Sequence, residues 1–247
     1  MGGGFWTPDY FMDDVYVEAL RYAFRRGISL FDTAEMYGGG HTEEIVGRAL
    51  REHEGEVVIV SKVWPNHLRR DDLIRSALAS RDRLGVRTID LYLIHWPNRE
   101  VPLAESIRAM EDLIDIGVIG CMGVSNFDVA LLEEAMASAR KYEVVADEVE
   151  YSVYNRGPEK ELIPFARRNN VTVIAYSPLG RGAVTYDTRL QRIAARYNAT
   201  PVQVALAYLM RNSIPIPKAS RKEHIDEIVG SAKLRLGDED YRQIGSL

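Results

Sequence analysis

The sequence predicts an α/β protein, a (β/α)8 (TIM) barrel formed by one domain over residues 1–247. Short apolar runs alternate with amphipathic helical patterns along the whole chain, which is typical of consecutive βα units. The runs are nearly continuous in apolar residues, as expected for parallel strands buried on both faces. The length fits one such barrel, and no linker-like stretch marks a second domain.

An open, doubly wound sheet is the alternative that right-handed βα crossovers also allow. The glycine-rich turn at Gly38–Gly40 follows an apolar run, but it lacks the G-x-G-x-x-G spacing of a dinucleotide-binding sheet. The closed barrel is therefore favoured. The apolar runs predict eight strands, at residues 2–6, 28–31, 57–63, 89–94, 118–124, 144–149, 171–175 and 214–217.

Start and stop signals delimit the helices between these strands. Glycines end several helical patterns, and Asp13 and Asp128 stand where helix caps are expected. Two Ser/Thr-x-x-Glu/Gln capping boxes begin at Thr200 and Ser220. The predicted helices cover residues 13–26, 42–52, 71–84, 103–116, 128–142, 158–169 and 189–197, a segment from 200, and 220–232.

Ionisable residues follow three successive predicted strands. Asp32 ends the run at 28–31, Lys62 ends the next run, and His95 follows residues 89–94. Tyr37 comes five residues after Asp32. Each residue alone is compatible with an ordinary structural role, such as a turn cap, a solvated lysine or a packed aromatic ring. In a parallel barrel the carboxyl ends of the strands lie on one face, so together the four residues predict an active site there.

These four side chains suit the protonation of a carbonyl oxygen. A free tyrosine has a pKa of about 10, and a neighbouring ammonium favours its phenolate form. Lys62 can supply that charge, and Asp32 can keep Lys62 protonated when both are buried. His95 can hold a substrate oxygen or share the proton transfer. Because no side chain is an evident hydride source, this chemistry requires a nicotinamide cofactor.

Composition excludes several other classes of function. A net charge of −5 argues against a nucleic-acid surface, and no apolar run approaches the roughly 20 residues of a membrane span. The amino terminus has no signal-peptide pattern. Cys121, the one cysteine, permits no internal disulfide and is expected to be a small buried strand residue. We therefore expect a cytoplasmic protein with neither a membrane nor a nucleic-acid partner.

The ordered motifs of the sequence resemble the aldo-keto reductase family, in its prokaryotic type. They cover nearly the whole chain, at roughly the spacings of the family. The resemblance implies Tyr37 as general acid and base, tuned by Lys62 and Asp32, with His95 orienting the substrate. It implies no metal, and it implies that Trp6 and Trp64 line the substrate pocket. The motifs are DTAEMYG, VSKVW, LYLIHWP, GVSNF, EVEYSVYN, AYSPLGRG and IPIPKASRKEH.

The resemblance also implies a site for NADPH, with NADH as a further possibility. Ser125 and Asn126 match residues that bind the nicotinamide carboxamide, and Tyr176 matches the ring that stacks on the nicotinamide. Residues further along match the groups that hold the pyrophosphate and the adenosine 2′-phosphate. The predicted cofactor-binding residues are Ser125, Asn126, Glu148, Tyr176, Ser177, Leu179, Lys218, Ser220, Arg221 and Glu227.

The sequence departs from the family pattern at several positions. Asp147 and Glu148 replace the usual Asn-Gln, so Glu148 brings a carboxyl group to the nicotinamide and favours bound NADP+ over NADPH. His224 stands where many members have an arginine, which predicts a weaker preference for NADPH over NADH. Both ends are short relative to many members, which predicts a shallow, open pocket with weak discrimination among small carbonyl compounds.

The function predicted from the sequence is an NADPH-dependent reductase of aldehydes and ketones that acts as a monomer, with association left open. A regulatory subunit that senses nucleotides on the same fold, with little turnover, is the alternative from another class. A phosphate-binding barrel isomerase would use the same face, but it explains neither Tyr176 nor the GVSNF motif. Multiple turnovers would distinguish the enzyme from the regulatory subunit.

Overall fold

The computed structural model of this chain describes residues 4–246, which divide into two compact units, Met1–Asp147 and Glu148–Leu247. The first unit alternates helices and strands from its first helix onward, and β5 continues into the second unit. Its elements are α1 (Asp13–Arg25), β1 (Leu30–Asp32), α2 (His41–Leu50), β2 (Val58–Val63), α3 (Arg70–Leu84), β3 (Ile89–Ile94), α4 (Leu103–Asp115), β4 (Ile119–Ser125), α5 (Val129–Ser138) and β5 (Val144–Glu150).

The first four strands pair in parallel and in chain order. Leu30 lies opposite Val58 between β1 and β2, and β2 to β3 and β3 to β4 pair in the same sense. The carboxyl ends of these strands therefore lie along one edge. Gly123 of β4 has no room for a side chain, because an added Cβ would lie 2.7 Å from the carbonyl oxygen of Ala146 in β5.

A buried polar cluster lies within the apolar core of the first unit. The carboxylate of Glu43, which is fully buried, accepts a hydrogen bond of 2.5 Å from Ser61 Oγ and pairs with Arg83 at 2.7 Å. Burial raises the pKa of Glu43, although the charge of Arg83 opposes that rise. These contacts tie α2 to β2 and α3, beneath the strand ends that carry the candidate site.

The second unit contains two further parallel strands and five helices among its described residues. Ile174 of its first strand lies opposite Ile214 of its second. Thr200 and Gln203 form the predicted capping box, with both hydrogen bonds present. Its elements are α6 (Leu162–Arg168), β6 (Thr172–Tyr176), α7 (Thr188–Arg196), α8 (Pro201–Leu209), β7 (Ile214–Pro215), α9 (Lys222–Ser231) and α10 (Asp238–Ile244).

Several predicted elements differ from the structure. The predicted strand at 2–6 lies partly outside the described residues, and its described part forms a single antiparallel bridge, from Phe5 to Tyr37. The described chain therefore has seven strands rather than eight. The capping box at Ser220 is wrong, because α9 begins at Lys222 after Arg221 as cap, without a side-chain cap bond. Cys121 is exposed rather than buried.

The other differences are element boundaries and one helix, α10, which was not predicted from the sequence. Asp13 is the first residue of α1 rather than its cap, which is Met12. The helix predicted to reach residue 142 ends at Ser138, and the helix predicted at 158–169 begins with a separate 3-10 turn before α6. Asp128 does cap α5, because its side chain accepts a hydrogen bond from the Leu131 N–H.

Candidate active site

A buried ion pair forms the centre of the candidate site in the first unit. Lys62 is fully buried near the end of β2, and its Nζ lies 2.6 and 2.5 Å from the two carboxylate oxygens of Asp32. Nζ also donates to the Thr33 carbonyl at 2.9 Å. Parallel pairing of β1 and β2 brings the two ends together, so a full positive charge is held at a fixed position in the protein interior.

A tight turn of three glycines follows Tyr37, which lies close to the Lys62 ammonium. Its ring centroid lies 5.7 Å from Lys62 Nζ. The following glycines all have positive φ, and a Cβ on Gly40 would overlap the Arg83 side chain at 2.4 Å. The bridge from Phe5 and the hydrogen bond from the Trp6 N–H to the Met36 carbonyl, 2.9 Å, hold the same loop from the other side.

His95 faces the Tyr37 ring and is buried. The two ring centroids are 5.7 Å apart at an interplanar angle of 83°, and Trp96 stacks on the imidazole at 3.9 Å. Burial, followed by the charge of Lys62, lowers the pKa of His95 to about 2. His95 is therefore a neutral imidazole whose Nδ1 is buried without a hydrogen-bond partner in the described chain.

Ser125 and Asn126 are joined to this cluster by hydrogen bonds. Asn126 Nδ2 donates to the His95 carbonyl and to Ser125 Oγ, both at 3.0 Å. Asn126 has a φ of 62°, a left-handed conformation that asparagine tolerates better than most residues. The end of β4 thus lies beside the end of β3, as the parallel pairing requires.

An aromatic wall flanks Tyr37 and His95. Trp6 and Trp64 meet edge to face at 5.6 Å, and Trp64 meets Trp96 at 5.8 Å. Trp6 is 45% exposed and has a φ of 58°, which is unusual for a bulky residue. Trp6 and Trp64 therefore contact each other on a partly open surface in the first unit.

One further pair beside this wall was not predicted from the sequence. Glu35 is buried, and its Oε1 accepts the Trp64 backbone N–H at 2.5 Å and lies 3.1 Å from His67 Nδ1. The His67 ring in turn lies 6.3 Å from that of Trp6. Glu35 therefore positions Trp64 and His67 from within the Tyr37 loop. Its place in the DTAEMY motif was the one available signal.

In the second unit, Tyr176 is half-buried at the end of β6. Burial raises its pKa, and the charges of Glu150 and of the buried Glu148 add to that rise. Ser177 and Leu179 follow directly, and Ser177 has a φ of 50°. Positive φ values recur at Gly180, Arg181 and Gly182, where the Gly180 and Gly182 N–H groups donate to the backbone carbonyls of Ser177 and Leu179 at 3.0 Å.

The predicted 2′-phosphate residues lie around the start of α9. Lys218 and Arg221 are exposed, and Ser220 is partly buried between them. Arg221 contacts the imidazole of His224 one turn later. Glu227 is further along α9, where its backbone carbonyl accepts a hydrogen bond from a glutamine side chain at 3.3 Å. Two accessible cations beside a helix start fit a phosphate group.

The described part of the chain contains no cluster of three or more His, Cys, Asp or Glu side chains that could hold a metal ion. Within the same residues, no helix combines the length and apolarity needed to cross a bilayer.

Comparisons with known proteins give the family of this chain. The sequence model of the Aldo/keto reductase family matches residues 1–247. The chain is 32% identical over 241 residues to methylglyoxal reductase DkgB of Escherichia coli O157:H7, covering 95% of this chain and 88% of that protein. This chain therefore belongs to the aldo/keto reductase family.

Solved structures agree with the family match. The crystal structure of a thermostable aldo-keto reductase, Tm1743, in complex with the inhibitor epalrestat is 45% identical, with a TM-score of 0.94 over 99% of this chain and 91% of that one. An aldo-keto reductase from Klebsiella pneumoniae in complex with NADPH is 31% identical, with a TM-score of 0.91 over 96% and 86%. The prediction of a (β/α)8 barrel is confirmed, as are the predictions of an NAD(P)H-dependent oxidoreductase and of its NADP cofactor.

Proposed function

We propose that this protein reduces small aldehydes and ketones to alcohols with NADPH, and that Tyr37 supplies the proton. The main support for the proposal is the fixed position of the Lys62 ammonium. Its Nζ donates to the Asp32 carboxylate and lies 5.7 Å from the centre of the Tyr37 ring. A positive charge beside a phenol favours its phenolate form, so Tyr37 can give up a proton near neutral pH.

The proton transfer follows from these three side chains. The Tyr37 hydroxyl donates its proton to the carbonyl oxygen as that oxygen gains negative charge. The Lys62 ammonium stabilises the phenolate that remains, and the Asp32 carboxylate keeps Lys62 charged although it is buried. When bound, reduced nicotinamide supplies the hydride to the carbonyl carbon. Hydride and proton together convert the carbonyl to an alcohol.

His95 orients the substrate in this proposal. Its low pKa makes it neutral at any working pH, so it acts as a hydrogen-bonding group rather than as a cation. A neutral imidazole beside the Tyr37 ring can hold the carbonyl oxygen within reach of the phenol. Trp6 and Trp64 would then contact the remainder of a small substrate.

The proposed cofactor-binding residues are those that the resemblance to the family implies, taken one by one. Ser125 and Asn126 would bind the carboxamide, with Glu148 as a further partner, and Tyr176 would stack on the nicotinamide ring. Ser177 and Leu179 would hold the pyrophosphate. Lys218, Ser220 and Arg221 would bind the 2′-phosphate, with Glu227 beside the adenosine. The two exposed cations support NADPH over NADH.

The proposed substrate class is broader than the one compound that appears in the names of the relatives. Two relatives are named methylglyoxal reductases, so methylglyoxal is the first aliphatic compound to test, beside a reactive aromatic aldehyde. The exposed Trp6 supports a pocket that accepts both. The cytoplasmic location and the monomeric state remain predictions from the sequence.

A turnover assay with matched variants tests the proposal. The consumption of NADPH is followed with each aldehyde, for the wild-type protein and for Tyr37→Phe, which keeps the ring and removes the acidic proton. We expect multiple turnovers from the wild type and a loss of about a thousandfold or more in the variant. NADPH binding, measured by fluorescence, should be equal in both proteins.

Two results would contradict the proposal. Unchanged turnover in Tyr37→Phe would remove Tyr37 from the role of acid. Tight NADPH binding without turnover of any aldehyde would instead favour the regulatory subunit that senses nucleotides.

A further inference from the structure

A groove in the second unit lies away from its proposed cofactor residues. It has a volume of about 920 Å3 and is lined by residues of α6, α8 and α10. Arg167 and Arg168 lie at the end of α6, just before β6 begins, whereas Tyr176 ends β6. The groove is therefore at the opposite end of β6 from Tyr176, and the proposed reaction does not use it.

Five arginines line this groove, and two of them are neutralised by carboxylates. Arg156 pairs with Glu159 at 2.6 Å, and Arg242 pairs with Glu239 at 2.7 Å. The carboxylate of Glu159 is fully engaged, because Tyr151 and Tyr208 also donate to it, at 2.7 and 2.8 Å.

Glu159 leaves little free negative charge in the groove. Burial opposes its ionisation, but the hydrogen bonds from Arg156, Tyr151 and Tyr208 outweigh burial and lower its pKa. An ionised Glu159 in contact with Arg156 forms a neutral pair. This pair lines the groove without repelling an anion.

The other three arginines have no such neutralising partner. Arg167, Arg168 and Arg211 lie within ion-pair distance of no carboxylate among the residues from 4 to 246. Arg167 instead donates to the side-chain oxygen of Asn212 at 2.8 Å, a neutral group. The Arg211 guanidinium lies 4.7 Å from the centre of the Tyr241 ring.

These contacts hold the guanidinium groups in position without cancelling their charge. An amide oxygen and an aromatic face both orient an arginine and leave it cationic. Asp238, exposed at the first residue of α10, is the remaining carboxylate of the lining. The groove therefore has an excess of positive charge on a chain whose net charge is −5.

We propose that this groove binds an oligophosphate anion through Arg167, Arg168 and Arg211. Several guanidinium forks along one groove match the oxygens of adjacent phosphate groups better than a single carboxylate does, because each fork can donate two parallel hydrogen bonds. The volume suffices for a diphosphate and for a nucleotide that carries one. The shared chemistry is a diphosphate, either free or as part of a nucleotide.

Isothermal titration of the full-length protein with pyrophosphate, and separately with ADP, tests this proposal at one fixed, low salt concentration. In Arg167→Gln/Arg211→Gln we expect affinity for the bound probe to fall by about tenfold or more. The matched control is Arg108→Gln/Arg192→Gln, which removes two exposed arginines that do not line the groove. It should bind as the wild type does.

A second control separates the groove from the proposed cofactor site. The titrations are repeated with saturating NADPH, which occupies the proposed cofactor site and should leave groove binding of the probe unchanged. If NADPH displaces the probe while the groove variant retains it, the probe binds at the cofactor site and the proposal is wrong. Absence of binding to the wild type would overturn it equally. Tighter binding of ADP than of pyrophosphate, lost in the groove variant, would support the proposal and identify a nucleotide as the source.

Unfolding of the double groove variant would be detected by circular dichroism. Arg168→Gln then provides the test, because the exposed Arg168 side chain makes no hydrogen bond or ion pair within residues 4–246, and its loss should still weaken binding of the probe severalfold. Wild-type affinity in a folded Arg168→Gln would exclude Arg168 from the site.

Discussion

A buried lysine in the first unit and a pair of exposed cations in the second have opposite surroundings. Lys62 of the first unit is fully buried, and its charge is held by both oxygens of Asp32. Lys218 and Arg221 of the second unit are exposed, and neither has a carboxylate partner within the described chain. One charge is fixed by the protein, and the other two remain accessible.

The difference follows from what each charge has to do. A charge that stabilises a phenolate must stay in one position, and burial strengthens its effect, so the protein must also supply a partner that keeps it ionised. A charge that binds a phosphate from solution must remain accessible and unneutralised until the ligand arrives. Substitutions should therefore affect the chemical step in the first region and cofactor affinity in the second.

The largest effect is expected for Lys62→Met. Removal of the ammonium takes away the charge that stabilises the Tyr37 phenolate, and we expect kcat to fall by about a thousandfold. NADPH affinity should change by no more than a few fold. Steady-state kinetics and fluorescence titration measure the two quantities separately.

Stability requires a control in this case, because Lys62→Met leaves the Asp32 carboxylate without its partner. Breaking a buried pair in this way costs about 3–5 kcal/mol. Asp32→Asn keeps the shape and the Lys62 side chain but removes the partner that keeps the lysine charged, so its loss of activity should approach that of Lys62→Met without exceeding it. A smaller loss in Lys62→Met than in Asp32→Asn would contradict the role given to the lysine.

The exposed pair should behave in the opposite way. In Lys218→Ala/Arg221→Ala we expect the Kd for NADPH to rise by about a hundredfold, since two charge-assisted contacts to phosphate are lost. The Kd for NADH, which has no 2′-phosphate, should stay the same, and so should kcat at saturating cofactor. Equal losses for both cofactors would mean that these residues bind another part of the nucleotide.

The dependence of stability on pH tests how deeply His95 is buried in the first unit. Burial, helped by Lys62, lowers the pKa of His95 from 6.5 to about 2, so the folded protein excludes a proton that the unfolded chain accepts. Stability is therefore lost as the pH falls below about 6.5, by about 2 kcal/mol at pH 5 relative to pH 8. Denaturant unfolding at both pH values measures this loss.

The matched variant is His95→Asn, which has no group that titrates in this range. Its stability should depend less on pH than that of the wild type, by about the same 2 kcal/mol. If the two proteins lose equal stability between pH 8 and pH 5, His95 is more hydrated than its 3% exposure implies.

The strand ends that carry Asp32, Lys62 and His95 could be predicted because the signal is local. A short apolar run that stops at an ionisable residue is visible in the sequence, and parallel pairing brings such residues together. The Thr200–Gln203 capping box was predictable for the same reason, since its two hydrogen bonds join residues only three apart.

Glu35 and His67 could not be predicted in this way. Their hydrogen bond joins residues 32 positions apart, and neither side chain belongs to a periodic pattern. The failed box at Ser220 shows a related limit, because α9 begins at Lys222 with Arg221 as its cap and without a side-chain cap bond. Long-range polar contacts and helix starts depend on tertiary packing that a local motif does not describe.

The smallest effect on cofactor binding is expected for Glu148→Gln, which tests the role of a buried carboxyl group in the second unit. Glu148 is 2% exposed, and its charge acts on Tyr176, the ring proposed to stack on nicotinamide. Oxidised nicotinamide is cationic and reduced nicotinamide is neutral, so a negative charge there favours NADP+. We expect the variant to weaken NADP+ relative to NADPH by about threefold to tenfold.

Glu150→Gln is the matched control, because Glu150 is exposed and its charge also acts on Tyr176. Solvent screens an exposed charge, so this variant should change the ratio of the two dissociation constants by less than twofold. Equal changes for NADP+ and NADPH in Glu148→Gln would mean that Glu148 is protonated or neutralised when the cofactor binds. A buried carboxyl group would then serve the second unit as a hydrogen-bonding group alone, whereas in the first unit the buried Lys62 acts through its charge.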